Sequence, residues 1–297
     1  MPSATATWHN DTYSAISALR PELSAKGKTV VIIVSGSGVG RQNALSFAKA
    51  QAARIILLGR REASLQETAS LVSSASSGVE TLVRAVDTTN LEGLKTIAAE
   101  VGTWDILVIA SVHASTVSTL ASADIDEWWQ GFETNVKGLV LAVKALLPTA
   151  NKAGLAVLAL TSQTTAFPTV MGPGMSGYNA SKIAQIKVVE YQAAEEPNIF
   201  AATIHPGICD TAVLAKSGLK PDQVPLDQIA LPGDFLVWLA SPEGSFLKGR
   251  SVSANRDVDE LKAQAESIQS GLTMTSGIYG WPYPHTGSAW TEPATSA

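Results

Sequence analysis

Residues 29–34 read Thr-Val-Val-Ile-Ile-Val, an apolar run without the polar alternation of a half-solvated strand. A β-branched run of this kind fits a strand covered on both faces, and such strands belong to parallel sheets sandwiched between helices. The pattern then repeats. Residues 39–50 place Ala44, Phe47 and Ala48 on one helical side, and 54–58 form a second apolar run. The spacing predicts helices over 63–74 and 91–101 and strands over 80–86 and 105–110. A long helix over 124–147, a strand over 155–160, a helix over 176–195 and a strand over 200–204 follow. Strand and helix alternating through short connections predict an α/β fold with a doubly wound parallel sheet. No composition break interrupts it. The expected organisation is one domain over 29–265, an N-terminal arm over 1–28 and a C-terminal tail over 266–297.

The chain is large enough for one such domain, with 297 residues, 45% of them hydrophobic and 16% charged. A net charge of -5 gives no reason to expect nucleic acid or an acidic membrane as partner. The single cysteine, Cys209, excludes an internal disulfide, and four histidines without ligand spacing argue against a metal site. No run is long and apolar enough to span a bilayer, and residues 1–28 lack the apolar core of a signal peptide. A cytoplasmic protein acting on a small molecule is the expectation. The arm carries Trp8, His9 and Tyr13. The tail carries Ile278-Tyr279-Gly280-Trp281-Pro282-Tyr283-Pro284. Each end is either a surface-hugging or disordered tail or an arm covering a partner subunit or the substrate mouth. Trp128, Trp129 and Phe132 in the long helix read as core or interface residues.

Tyr178-Asn179-Ala180-Ser181-Lys182 sets a phenol and an ammonium on one face of a helix. A neighbouring cation lowers a phenol from its usual pKa of about 10, which suits it to general acid or base work on a hydroxyl or carbonyl. The pair alone is common. A second signal accompanies it. Ser35-Gly36-Ser37-Gly38-Val39-Gly40 follows the first strand and opens the first helix. There a Rossmann-type fold binds a pyrophosphate on the exposed N–H groups of a helix N-terminus. A NAD site would show an acid about 20 residues past the last glycine. This chain has Arg60 and Arg61, which suit a 2′-phosphate, so a dinucleotide here is expected to be NADP(H).

With these features in order, the chain resembles the short-chain dehydrogenase/reductase family, especially its fungal-type members with a polar N-terminal arm. The resemblance covers about residues 8–265. It implies that Tyr178 and Lys182 are the catalytic pair, with Asn135 of Glu133-Thr134-Asn135-Val136-Lys137-Gly138 as the helix asparagine of the tetrad. It implies Ser162, after the fifth strand, as the catalytic hydroxyl. Thr164 is the alternative, because the stretch from Ser162 to Tyr178 is longer than the family's usual spacing. Pro206, Gly207 and Thr211 match the segment beside the nicotinamide, and Asp87 matches the acid that contacts the adenine. The family also implies a homodimer or homotetramer through the helices bearing Asn135 and Tyr178. His113 and Ser115 are expected on the active-site floor. Cys209 is expected to line the pocket, since no adjacent base marks it as a nucleophile. His205 reads as structural.

The departures fall on the cofactor side. The family's Thr-Gly pair before the glycine loop is Ile33-Val34, and its Asn-Ala-Gly is Ala110-Ser111-Val112. Val34 and Val112 set branched side chains where the family lets backbone approach the adenosine. Ala110 removes the hydrogen bonds that brace neighbouring strands. The acid–base set is present while the cofactor seat is degraded at Val34, Ala110 and Val112. At this level the balance tips slightly to a redox-neutral, cofactor-independent enzyme, an isomerase, lyase, dehydratase or cyclase. An NADP(H)-dependent ketoreductase or alcohol dehydrogenase is the alternative, and a non-catalytic binding protein the third reading.

Overall fold

The computed structural model describes residues 4–278. Strands β1 (Thr29–Ile33), β2 (Arg54–Gly59), β3 (Glu80–Ala85), β4 (Ile106–Ile109), β5 (Leu155–Leu160), β6 (Ile199–His205) and β7 (Ser251–Ser253) form one sheet ordered β3-β2-β1-β4-β5-β6-β7. All six pairings are parallel. The helices are α1 (Gly38–Lys49), α2 (Glu62–Ala75), α3 (Leu91–Val101), α4 (Ile125–Phe132), α5 (Gly138–Leu146), α6 (Ser176–Glu195), α7 (Ala212–Lys216), α8 (Ala230–Leu239), α9 (Val258–Lys262) and α10 (Ala265–Ser270).

The apolar strands are apolar because both of their faces are covered. Val30 and Ile32 of β1 join a cluster with Phe47 of α1, Leu65 of α2 and Phe235 of α8. Val31 and Ile33 join the opposite cluster, with Leu94 of α3, Leu139 of α5 and Val189 of α6. Strand order reverses at β1, which pairs with β2 on one side and β4 on the other. In open α/β sheets the ligand crevice opens at that switch point, beyond the carboxyl ends of the strands. Val34, Ala110 and Val112 all lie there.

The long helix expected over 124–147 is divided. Asp124 caps its start by accepting from the N–H groups of Asp126 and Glu127. A π turn over Glu133–Lys137 then separates α4 from α5. Trp128, Trp129 and Phe132 stack on one another, and Trp129 stays half exposed. The described part of the arm hugs the body. Ile16 and Leu23 are buried, Trp8 bridges to Arg256, and His9 stacks on Tyr13 at 3.6 Å between ring centroids. The described part of the tail is docked as well, because Arg250 Nη2 donates to the carbonyls of Ile268 and Gly271. Residues 279–284 of the aromatic tail lie outside the described residues.

Candidate active site

Helix α6 presents Tyr178 and Lys182 one turn apart beyond the end of β5. Lys182 is 1% exposed, and its Nζ donates to the Leu160 carbonyl at 2.8 Å and to Gln185 Oε1 at 3.0 Å. Burial disfavours the ammonium and brings Lys182 down to about 7. Tyr178 corrects the expectation that the Lys182 cation lowers its phenol, because the Lys182 Nζ is turned to Leu160 and Gln185. Burial pushes the phenol up, and a hydrogen bond with the Ser162 side chain opposes the shift. Tyr178 is therefore a neutral phenol near pH 7, set against a hydroxyl and poised to donate a proton.

Ser162 and Thr164 share one short polar chain. Their hydroxyl oxygens are 2.9 Å apart, and the Thr164 hydroxyl donates to Asn179 Oδ1 at 2.6 Å. Thr164 thus turns to α6, while Ser162 faces Tyr178. Asn135 sits in the π turn, fully buried. Its Oδ1 accepts from the His113 N–H at 2.8 Å, and its Nδ2 donates to the His113 carbonyl at 3.0 Å and Ser181 Oγ at 2.9 Å. The asparagine clamps the loop after β4 to α6. A single π turn widens a helix locally and recurs at functional positions; here it lets one side chain bridge two neighbours.

That clamp fixes the backbone of His113 on the floor. Two residues absent from the sequence reading join it there. His113 Nε2 lies 3.2 Å from Glu127 Oε2, and Lys216 of α7 donates to Glu127 Oε1 at 2.6 Å. Burial pushes Glu127 up, but the Lys216 bond and the adjacent His113 imidazole outweigh it and hold the carboxylate at about 2. Ser115 lies under α6, with its Oγ 2.8 Å from where a Cβ on Gly177 would stand. Cys209 is buried, and burial with the nearby Asp227 charge pushes its thiol up to about 12. It lines the region as a neutral thiol. Burial lowers His205 to about 4, against the opposing pull of Asp227, so it is a neutral imidazole.

On the cofactor side, Val34 adopts φ 64°, a left-handed conformation that costs a residue with a Cβ about 1–2 kcal/mol. Its side chain packs against the cluster containing Ile33 and Leu58. The loop therefore keeps a shape that glycine adopts freely. A Cβ on Gly40 would stand 2.0 Å from the Val34 carbonyl oxygen, so α1 can approach the strand only with glycine there. Ser37 is the N-cap of α1, yet its side chain caps no N–H. The first-turn N–H groups that Gly38, Val39 and Gly40 contribute thus keep the donor character that a pyrophosphate uses. Arg41 braces the loop, donating to the Gly36 carbonyl at 2.7 Å while pairing with Glu67. Thr211 reaches the loop from β6's side, with its Cγ2 3.3 Å from a Cβ placed on Gly38.

At the outer end, Arg60, Asp87, Val86 and Asn90 line an open cavity of about 630 Å³. Asp87 accepts from the Thr89 hydroxyl and N–H, which hold its carboxyl below the ordinary range, with Arg60 adding to the effect. Arg61 is exposed and does not line this cavity. The glycine loop offers uncapped N–H groups and the outer cavity offers Arg60, a donor set that fits an anionic ligand such as a phosphorylated nucleotide.

The short chain dehydrogenase family matches residues 28–222. Short chain dehydrogenase mpl6 of Monascus purpureus is 32% identical over 283 residues, covering 91% of this chain and 96% of that protein. Short chain dehydrogenase/reductase AacuD of Aspergillus aculeatus is 32% identical over 279 residues, covering 92% and 96%. Among solved structures, the oxidoreductase yciK from E. coli superposes with a TM-score of 0.72 at 21% identity, over 79% of this chain and 97% of that one. A short chain dehydrogenase from Shigella flexneri, complexed with NADP, gives 0.71 at 20% identity, over 79% and 99%. The protein belongs to the short-chain dehydrogenase/reductase family.

Proposed function

We propose that this enzyme is an NADP(H)-dependent oxidoreductase that interconverts a hydroxyl and a carbonyl on a small secondary metabolite. The conformation of Val34 carries the reading. The chain accepts a strained φ of 64° at a branched residue and thereby preserves the glycine loop's shape, with α1 opening on uncapped N–H groups. Arg60 beside the cavity supports a 2′-phosphate over a free ribose hydroxyl. This shifts the balance from the redox-neutral expectation.

When bound, the nicotinamide nucleotide supplies or accepts the two-electron equivalent. Tyr178, a neutral phenol, donates a proton to the substrate oxygen in reduction and recovers it in oxidation. Ser162 hydrogen-bonds that same oxygen. Lys182, brought to about 7, would hold ribose hydroxyls once its Nζ turns from its present partners, the Leu160 carbonyl and Gln185. Asn135 keeps the floor loop and α6 in register. Lys216 and Glu127 pin α7 across the substrate side.

A redox-neutral acid–base reaction remains the second reading, favoured by one observation. Lys182 already has two hydrogen-bond partners, Leu160 and Gln185, while Tyr178 and Ser162 are paired independently of it. NADPH titration followed by turnover at the reduced-nicotinamide absorbance separates the two. Consumption of NADPH with product formation supports the first, and product formation at flat absorbance supports the second. We also propose a homodimer through α5 and α6, where Val140, Ile183 and Tyr191 are exposed.

A further inference from the structure

The turn after β6 is held by a carboxylate far along the chain. Gly207 has φ 88°, and a Cβ there would stand 2.5 Å from Asp227 Oδ2. That oxygen accepts from the Ile208 N–H at 2.6 Å, and the Asp227 N–H donates to the Ile208 carbonyl at 2.8 Å. The other carboxylate oxygen, Oδ1, accepts from Asn255 Nδ2 at 2.9 Å and from Asn10 Nδ2 at 2.7 Å. Asn10 is itself tied down, because its carbonyl accepts from the Gln228 N–H at 2.7 Å. Asp227 is 7% exposed, and among the described residues no cation lies within ion-pair distance of it.

Burying an unpaired carboxylate is costly unless hydrogen-bond donors satisfy it, and donors arranged this closely also fix geometry. Here they fix a single object, the Pro206-Gly207-Ile208 turn, from both its N–H and its carbonyl. The same segment continues to Thr211, which stands against Gly38 of the phosphate loop. We propose that Asp227 is a positioning residue for the nicotinamide end of the cofactor site, and that Asn10 makes the N-terminal arm part of that site. The inference rests on the NADP(H) reading above. Asp227 touches no reacting atom; it sets where the turn presents its backbone.

Asp227→Asn preserves size but turns a donor toward either the Ile208 N–H or the two asparagine amides. The test titrates NADPH and 2′,5′-ADP into the wild type and this variant and follows thermal unfolding of both. The wild type binds both ligands. The variant loses about tenfold or more in NADPH affinity, the size of a lost charge-assisted hydrogen bond, while 2′,5′-ADP affinity stays within about twofold. Parallel losses for the two ligands, or no loss, overturn the positioning role. A wild type that binds 2′,5′-ADP but not NADPH also overturns it. A wild type that binds neither overturns the cofactor reading and the inference with it. If Asp227→Asn does not fold, Asn10→Ala decides, since Asn10 is exposed and contributes one bond to Oδ1. A selective, smaller loss of NADPH affinity is expected, and unchanged NADPH affinity overturns the proposal.

Discussion

The proposed acid–base chemistry rests on single side chains, and the sequence exposed those that are close together. Tyr178 and Lys182 share one helix face, so their spacing was readable. Asn135 and Ser162 were placed through the family resemblance, and the structure sets both beside α6. The partners of Lys182 were not read, although Gln185 lies on the same helix. Tyr178→Phe keeps the ring and removes the proton, so the fold should survive and turnover should fall by about 10²-fold or more. Steady-state rates on the folded variant check this, and an unchanged rate removes Tyr178 from the mechanism. Ser162→Ala should cost more activity than Thr164→Ala, because the Thr164 hydroxyl is committed to Asn179 at 2.6 Å. The loss at Ser162 is about 1.5–3 kcal/mol in transition-state stabilisation. The opposite ranking of kcat/KM would assign the hydroxyl to Thr164.

At the level of elements, the repeated apolar runs gave strand and helix positions to within a few residues. What they hid is local. The three-residue strand β7 reads Ser-Val-Ser and has no length to make a pattern. The π turn has no composition of its own, and α8 is buried on every side, so it lacks the two-faced periodicity of a surface helix. The Glu127–Lys216 and Asp227–Ile208 bonds join distant segments and leave no trace in local spacing. The glycine loop is the instructive case. Val34 holds a left-handed φ of 64° at the cost of strain, so the branched residue alters side-chain bulk there rather than backbone shape. Val34→Gly should release about 1–2 kcal/mol of that strain. Lost burial and the greater unfolded entropy of glycine offset part of the gain. Urea unfolding should therefore move little. NADPH affinity should rise about tenfold as the seat opens, and calorimetry that finds no gain would contradict crowding by Val34.

For the whole molecule, the doubly wound sheet and its single domain were legible, because covered parallel strands need helices on both faces. The arm was legible as a segment but its docking points were not, because they are single residues: Ile16 and Leu23 in the core and Asn10 on Asp227. Global stability should also report the buried lysine. Lys182 has a folded value of about 7 against 10.5 for an ordinary lysine, so between these values the unfolded chain binds more protons. Stability from this group therefore rises with pH across that window, and its burial penalty is full below pH 7. Lys182→Met should gain stability relative to wild type at pH 6.5 and lose that advantage by about pH 10.5. An equal difference at both pH values in urea unfolding would show that Lys182 is not held neutral by burial. We propose that the strained but intact loop seats NADP(H). Calorimetric titration of the wild-type protein tests it most directly. NADPH should bind with a dissociation constant near 100 μM, about -5.5 kcal/mol, and NADH more weakly. No heat of binding with NADPH at 1 mM, about -4.1 kcal/mol, would contradict it.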